Sequence, residues 1–525
     1  MGKGELDKNA KELGAMKRDS QLQISGTLLG RNTLLNFWGQ AMPLVIGVIT
    51  IPFIVRGLGT ERFGLLSLSW VILGYFSIFD LGLGRATTKF VAEALGKGES
   101  AQLPRLVWTA VTAQTILGFL GVLILLVITP VLVERVLNIP SNLLDEAKAT
   151  FHMLAFAIPV VLVSGSFRGV LEAAQRFELV NVVKVPSSTL TFLLPLVGLF
   201  LGFRLPGIVA LMVAARFGEL AAFVALDLRI FTQLRKPSTS FNLFPRLFGY
   251  GGWIMVNNII NPVLTYLDRF LIGSFLSMAA VAHYSAPYEG VTRLRIIPAS
   301  LSMTLFSAFS FLEGIEDREK LNTFFARSVK YILLSLGPII VMLILFAKQI
   351  MQVWLGSDFA RESAGVLQIL ALGVLLNSLA YIPSALLSGA GRPDIPAKIH
   401  LLELPFYVAL AWVFVQRWGI EGAAGVWTLR VGVDACLLFL CSFRAYRLPT
   451  RLLTINGIPL AGGAVVGFGV LIYGVKSLVG TNPWVLQMLV LFAICCLYAW
   501  FTWRWVLDRT DQQTIWKTLG LLRRG

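Results

Sequence analysis

Phe63-Gly64-Leu65-Leu66-Ser67-Leu68-Ser69-Trp70-Val71-Ile72-Leu73-Gly74-Tyr75-Phe76-Ser77-Ile78 runs without a charge, then breaks into Phe79-Asp80-Leu81-Gly82-Leu83-Gly84-Arg85-Ala86-Thr87-Thr88-Lys89. The first part reads as a membrane helix. The charges at its end cost about 2.5–3.5 kcal/mol each if placed at mid-bilayer, so they belong against protein or water rather than lipid. Outward from this stretch, apolar runs of about 20 residues recur from Asn32 to Val506. The chain of 525 residues is 56% hydrophobic and 14% charged, with a mean hydropathy of +0.74. A soluble domain carries about 25% charge. The pattern is that of an all-α polytopic membrane protein.

Fourteen segments follow, at 32–55, 62–90, 105–130, 149–172, 179–203, 206–231, 246–274, 279–306, 328–348, 362–388, 396–417, 420–444, 456–476 and 484–507. Pro and Gly mark the joints, as in Leu205-Pro206-Gly207 and Gly391-Arg392-Pro393. Leu171 to Phe177 and Leu387 to Pro393 form similar turns 216 residues apart, and Pro206 to Ala210 matches Glu421 to Gly425 at 215. An offset of six helices keeps orientation, so the expected architecture is two six-helix lobes as parallel repeats. The organisation reads as an arm at 1–31, an N-lobe at 32–231, a linker at 232–245, a C-lobe at 246–444, an appended helix pair at 445–507 and a tail at 508–525. Of the 45 Lys and Arg residues, thirty-one gather on the side of the two termini, ten on the other and four within spans. That bias places both termini in the cytoplasm and absorbs much of the net charge of +16. Nucleic-acid binding would need a basic, aromatic-studded face in solvent, and no segment supplies one.

Some features read as structural. The arm lacks the apolar core and cleavage site of a signal peptide. Cys436, Cys441, Cys495 and Cys496 read as small buried hydrophobes, and three scattered histidines suggest no metal site. Gly463-Ala464-Val465-Val466-Gly467 suggests close helix packing.

Several motifs, taken in order, resemble those of the polysaccharide (Wzx-type) flippases of the multidrug/oligosaccharidyl-lipid/polysaccharide exporter superfamily. They are Asn32-Thr33-Leu34-Leu35-Asn36 through Pro52, Gly57-Leu58-Gly59-Thr60-Glu61-Arg62-Phe63-Gly64-Leu65, Phe79 to Gly84, Asp268-Arg269-Phe270-Leu271-Ile272-Gly273, Val281 to Ser285, and Gly389 to Pro393. The likeness runs over about residues 30–510; Ser277 stands where the pattern favours Gly, and the arm is longer than usual. The resemblance implies a central cavity, alternating access and an oligosaccharide on undecaprenyl pyrophosphate as cargo. It also implies a bacterial plasma (inner) membrane setting, with membrane lipids and a polysaccharide polymerase or other assembly proteins as partners. No cofactor is expected beyond a coupling ion, Na+ or H+.

A pyrophosphate requires cationic donors in a cavity that lipid does not enter. Arg85 and Lys89 share a helix face, and each reads as a phosphate contact or a positive-inside anchor. Arg168, Glu172 and Arg176 form an ion-paired stripe. Glu289, Arg293 and Arg295 share one span, with Glu289 and Arg293 spaced to pair. Arg216 with Glu219 and Arg430 with Asp434 hold corresponding places in the two repeats, as cavity lining or as structural pairs. Asp80, Asp268 and Asp434 are the candidates for cation coupling or charge pairing, and Arg269 is expected to snorkel to water at a helix end. The expected site is thus Arg85, Lys89, Arg168, Arg216, Glu289, Arg293 and Arg430, with no metal. The acids of the 131–148 loop, Glu134, Asp145 and Glu146, form no metal motif, so a glycosyltransferase, ligase or polymerase is disfavoured. A lipid II flippase and a cation-coupled drug exporter are the alternatives within the superfamily.

Overall fold

The computed structural model describes residues 42–43, 45–76, 83–174, 176–314, 317–389, 391–449, 451, 457–479 and 484–513. Asp80, the arm and most of the tail lie outside the described residues. The described residues are helical throughout, joined by short turns. In chain order the helices are α1 (Val45–Leu58), α2 (Thr60–Tyr75), α3 (Leu83–Gly96), α4 (Leu103–Val131), α5 (Leu144–Ala155), α6 (Ala157–Ala173), α7 (Phe177–Phe200), α8 (Leu205–Ile230) and α9 (Phe244–Phe275). They continue as α10 (Met278–Thr292), α11 (Ile296–Gly314), α12 (Arg318–Leu345), α13 (Ala347–Leu355), α14 (Ser357–Glu362), α15 (Ala364–Gly389), α16 (Asp394–Tyr446), α17 (Ile458–Val479) and α18 (Trp484–Phe501). Among the described residues, nine helical stretches are long and apolar enough to cross a membrane.

The longest helix shows how one glycine sets topology. A straight α16 would run about 80 Å, more than twice the hydrocarbon core of a bilayer. At Gly419 (φ 58°, ψ −137°) it turns back instead. The two arms then lie side by side, with Arg430 near Glu403 and Asp434 near His400. The expected boundary between the segments ending at 417 and starting at 420 falls on this kink. α7 and α8 form a similar hairpin, in which Gly198 admits Ile208 and Ser187 meets Glu219.

The repeated turns agree in backbone detail. The Arg176 N–H bonds the Leu171 carbonyl (2.9 Å), as the Arg392 N–H bonds that of Leu387 (2.7 Å). Each arginine also pairs through Nε with a carboxylate two residues on, Glu178 and Asp394. Arg176 therefore leaves the stripe expected on its helix.

At the arginine-poor end, α2 meets α10 so closely that a Cβ on Gly64 would lie 1.9 Å from the Met278 carbonyl oxygen. Asn138 reinforces this seal, donating its N–H to the Gly273 carbonyl (2.7 Å) and its side-chain amide to that of Leu276 (2.5 Å). The loop acids are engaged structurally. Glu134 pairs with Lys148 (2.5 Å), while Glu146 takes Arg62 (3.0 Å) and the Leu205 N–H (3.2 Å).

The last helices are held by a buried polar clamp, in which Asp511 accepts from Lys330 and from the Tyr331 hydroxyl (2.5 Å). Two packing expectations change. Gly463 and Gly467 face open space; the close approach is made by Val465 into Gly337 of α12. The cysteines are not buried either: Cys436, Cys495 and Cys496 are exposed and Cys441 is half-buried, because they sit on the outward faces of α16 and α18.

Candidate anion-binding cavity

A cavity of about 640 Å³ lies between the first and second halves of the chain, on the arginine-rich side of the α2–α10 seal. Its walls come from α7, α8, α9, the α10–α11 junction, Trp70 of α2 and Tyr381 of α15. Among the described residues five cations line it, Lys184, Arg216, Arg269, Arg293 and Arg295, against the single carboxylate of Glu289. Trp70, Phe192, Tyr266, Tyr288 and Tyr381 supply rings, and Asn181, Ser188 and Thr191 supply amide and hydroxyl groups.

Glu289 organises the cations. Its Oε1 accepts from Arg269 Nη2 at 3.0 Å and its Oε2 from Arg293 Nη2 at 2.6 Å. The two arginines differ in freedom. The Arg269 side chain is 3% exposed and its guanidinium lies 4.3 Å over the Tyr288 ring, which holds it rigidly. The Arg293 side chain is 37% exposed and lies 5.3 Å over Phe192. Beyond it the helix tightens into a 3-10 turn over Arg293–Arg295, which carries Arg295 to the cavity wall. Across the cavity, Arg216 Nη1 is held by Glu219 (2.8 Å) and by Ser187 (3.3 Å). Among the described residues, neither Lys184 nor Arg295 has a carboxylate within ion-pair distance; Arg295 Nε donates to the Thr292 carbonyl (3.2 Å).

The expected residues divide accordingly. Arg216, Glu289 and Arg293 come together at the cavity. Arg85 and Lys89 do not: α3 buries Leu83, Ala86 and Phe90, which turns both cations to its exposed face, Lys89 beside the Phe90 ring. Arg168 pairs with Glu172 (3.3 Å) and is not among the residues that line the cavity. Arg430 is not paired with Asp434; it faces Glu403 at 3.6 Å while Asp434 faces His400 at 3.4 Å, because the α16 hairpin brings 400–403 against 430–434. Asp268 is fully buried behind the wall, accepting from the Arg269 N–H (2.7 Å) and the Tyr284 hydroxyl. Arg269 does not snorkel outward, since Glu289 draws it to the cavity. Sequence reasoning missed Lys184, which reads as one more positive residue near a loop, and undervalued Arg295. A lysine surrounded by Val182, Val183 and Val185 was the available signal.

A second, mainly apolar cavity of about 960 Å³ lies between α1, the α12–α13 corner, α17 and α18, walled by residues such as Val48, Phe53, Phe346, Ile472 and Leu491, with Arg56 and Lys476 also in its wall. A small pocket beside α1 shares Pro43, Phe192, Glu289 and Arg293 with the first cavity and Val48 with the second.

An all-helical membrane protein with a cationic internal cavity is a transporter by architecture, and similarity then gives the family. The family profile described as polysaccharide biosynthesis protein matches residues 29–313, and one described as MatE matches 254–413. The chain belongs to the polysaccharide biosynthesis protein family, within the superfamily of the Wzx-type flippases. It is 30% identical over 411 residues to a putative O-antigen transporter of Shigella flexneri, covering 78% of this chain and 96% of the relative. It is 23% identical to a probable low-salt glycan biosynthesis flippase of Haloferax volcanii, covering 94% and 98%. Among solved structures, the lipid II flippase MurJ in an inward closed conformation aligns with a TM-score of 0.70 at 13% identity, over 90% of this chain and 98% of that one. An inward-facing multidrug resistance MATE family transporter aligns at 0.68 and 17% identity, over 78% and 94%.

Proposed function

We propose that the protein is a flippase that moves a lipid-linked oligosaccharide, carried on undecaprenyl pyrophosphate, from the cytoplasmic to the outer leaflet of a bacterial inner membrane for surface polysaccharide assembly. The observation that carries this reading is the five-to-one excess of cations over carboxylates in a cavity set within membrane helices. Such an excess is costly unless an anion completes it. A pyrophosphate fits arginine forks, the tyrosines and Trp70 offer faces to sugar rings, and Asn181, Ser188 and Thr191 offer hydrogen-bond partners. A drug exporter for cations would need the opposite charge balance. The apolar cavity behind α1 suits the prenyl chain, so that the carrier would straddle α1 with its phosphates on Arg293.

Both termini lie in the cytoplasm in this reading. The arginine-rich end then faces the cytoplasm, the α2–α10 seal closes the outer side, and the cavity receives cargo from the inner leaflet. Transport follows when the seal parts and the cytoplasmic side closes. Membrane lipids and downstream assembly proteins such as a polymerase are its partners, and a Na+ or H+ gradient its source of drive. The test is a vesicle assay with pyrophosphate-linked oligosaccharide. Lys184→Ala/Arg295→Ala is expected to lower translocation by about a hundredfold, two lost charge-assisted contacts of about 1.5 kcal/mol each. Unchanged translocation in the double variant would remove the cavity as the headgroup site. A wild-type protein that moves no such lipid would remove the function itself.

A further inference from the structure

We infer that Glu289 is a built-in stand-in for the cargo's phosphate: it occupies the cationic site in the empty cavity and sets how readily the headgroup leaves. The inference rests on the anionic-cargo reading above.

Three observations carry it. Among the described residues Glu289 is the only carboxylate in the cavity wall, and its two oxygens bridge Arg269 (3.0 Å) and Arg293 (2.6 Å). A carboxylate held by two guanidinium groups has the geometry that one phosphate would take at the same place. The bridge is also asymmetric. Arg269 is locked, with its side chain 3% exposed and its guanidinium stacked on Tyr288, whereas the 37% exposed Arg293 can turn to a newcomer. Finally, Arg293 caps α10 where the helix passes into the 3-10 turn Arg293–Arg295, two residues before Arg295, a second cavity cation that no carboxylate among the described residues holds.

The exchange follows from these facts. An arriving phosphate takes Arg293 and Arg295, while Glu289 keeps Arg269 neutralised in its buried place. Arg269 and Arg293 thus each keep an anionic partner at every stage, while Arg295 and Lys184 gain theirs only from the arriving anion. When Glu289 recaptures Arg293, the headgroup loses a donor and departs. Glu289 is thus a positioning residue acting through Arg293. It lowers affinity for the cargo and raises the rate of release, a trade that favours turnover over tight binding.

The test uses the full chain in detergent, with farnesyl pyrophosphate as probe and farnesol as the uncharged control. Glu289→Gln keeps the shape and a hydrogen-bond acceptor for Arg269 but frees Arg293. It is expected to bind farnesyl pyrophosphate about tenfold tighter than wild type, the worth of one charge-assisted contact. In vesicles it should lower kcat and KM together, the signature of removed ground-state competition. In an Arg293→Gln background the gain should vanish. A merely structural Glu289 predicts weaker binding and no such dependence on Arg293. Glu289→Gln binding equal to or weaker than wild type overturns the stand-in role. If Gln does not support folding, Glu289→Asp, withdrawn from Arg293 by one methylene, should bind about threefold tighter, a fraction of one charge-assisted contact, and unchanged affinity overturns the role. Wild-type protein that fails to bind farnesyl pyrophosphate overturns the anionic-cargo reading, and the stand-in with it.

Discussion

The α7–α8 hairpin and the α16 hairpin are built on one plan and put to different uses. At the repeat's offset of 216, Lys184 maps to His400 and Ser187 to Glu403, and Arg216 and Glu219 have near counterparts in Arg430 and Asp434. In the first hairpin, Lys184 and Arg216 face the cavity, and Glu219 with Ser187 steadies Arg216 from behind. In the second, Glu403 and Asp434 are 6% and 4% exposed, and Arg430 lies between Glu403 and the Tyr407 ring (5.4 Å) outside the cavity wall. Packing makes the difference. The α16 arms are pressed together by Tyr407, Ala411 and Val415 on one side and Ala423, Ala424 and Trp427 on the other, and α15 covers them where Gly373 admits Trp427. A repeated sequence position therefore does not imply a repeated role. One hairpin lines the cationic cavity, and the other packs its charges inside its own half of the protein.

The comparison breaks most severely where the two halves meet. Gly64→Val places a Cβ against the Met278 carbonyl, and a backbone atom cannot yield as a flexible side-chain end can. Transport in vesicles should fall to background while the purified protein stays monodisperse. Near-normal transport would mean that the cycle does not need the α2–α10 seal.

A smaller effect, and a more discriminating one, separates the two arginines. Arg430→Met strands Glu403 without its cation and should lower stability by about 3–5 kcal/mol, read as a fall in thermal midpoint in detergent. Arg216→Met leaves Glu219 near the cavity, and so near water. It should leave the midpoint within about 1 kcal/mol of wild type while lowering transport by about tenfold. The reverse pattern would exchange the roles assigned to the two hairpins.

The mildest test concerns the helices appended to the second half. Burial opposes ionisation of Asp511, but hydrogen bonds from Lys330 and Tyr331 outweigh it and hold the carboxyl below its ordinary value. The linked stability is present in full above the unfolded carboxylate's range, about pH 4, and fades as pH falls through the depressed folded value. Wild-type melting temperature should therefore drop below about pH 4, with a slope that Asp511→Asn flattens. Equal slopes would mean that the clamp contributes nothing.

Part of the candidate cavity was legible because charge inside an apolar span is rare enough to notice. Arg216, Glu289 and Arg293 were found that way. Arg85 and Lys89 misled because the i, i+4 rule places two residues on one face without saying which way that face turns. Only the burial of Leu83, Ala86 and Phe90 decides it. Arg269 misled because a helix-end arginine is as free to reach water as to reach inward, and a carboxylate twenty residues away drew it in. The pairing of Arg430 with Asp434 was the natural local choice, yet Glu403 lies across the hairpin and is nearer.

By itself the sequence determined the class of protein, its all-α membrane character and the family, because these depend on local properties: hydropathy over a span, glycine and proline at joints, and motifs in order. Tertiary structure alone decided which charges share a cavity. That depends on which face each helix turns inward and on which partner sits across from it, and neither is a property of any short stretch of chain.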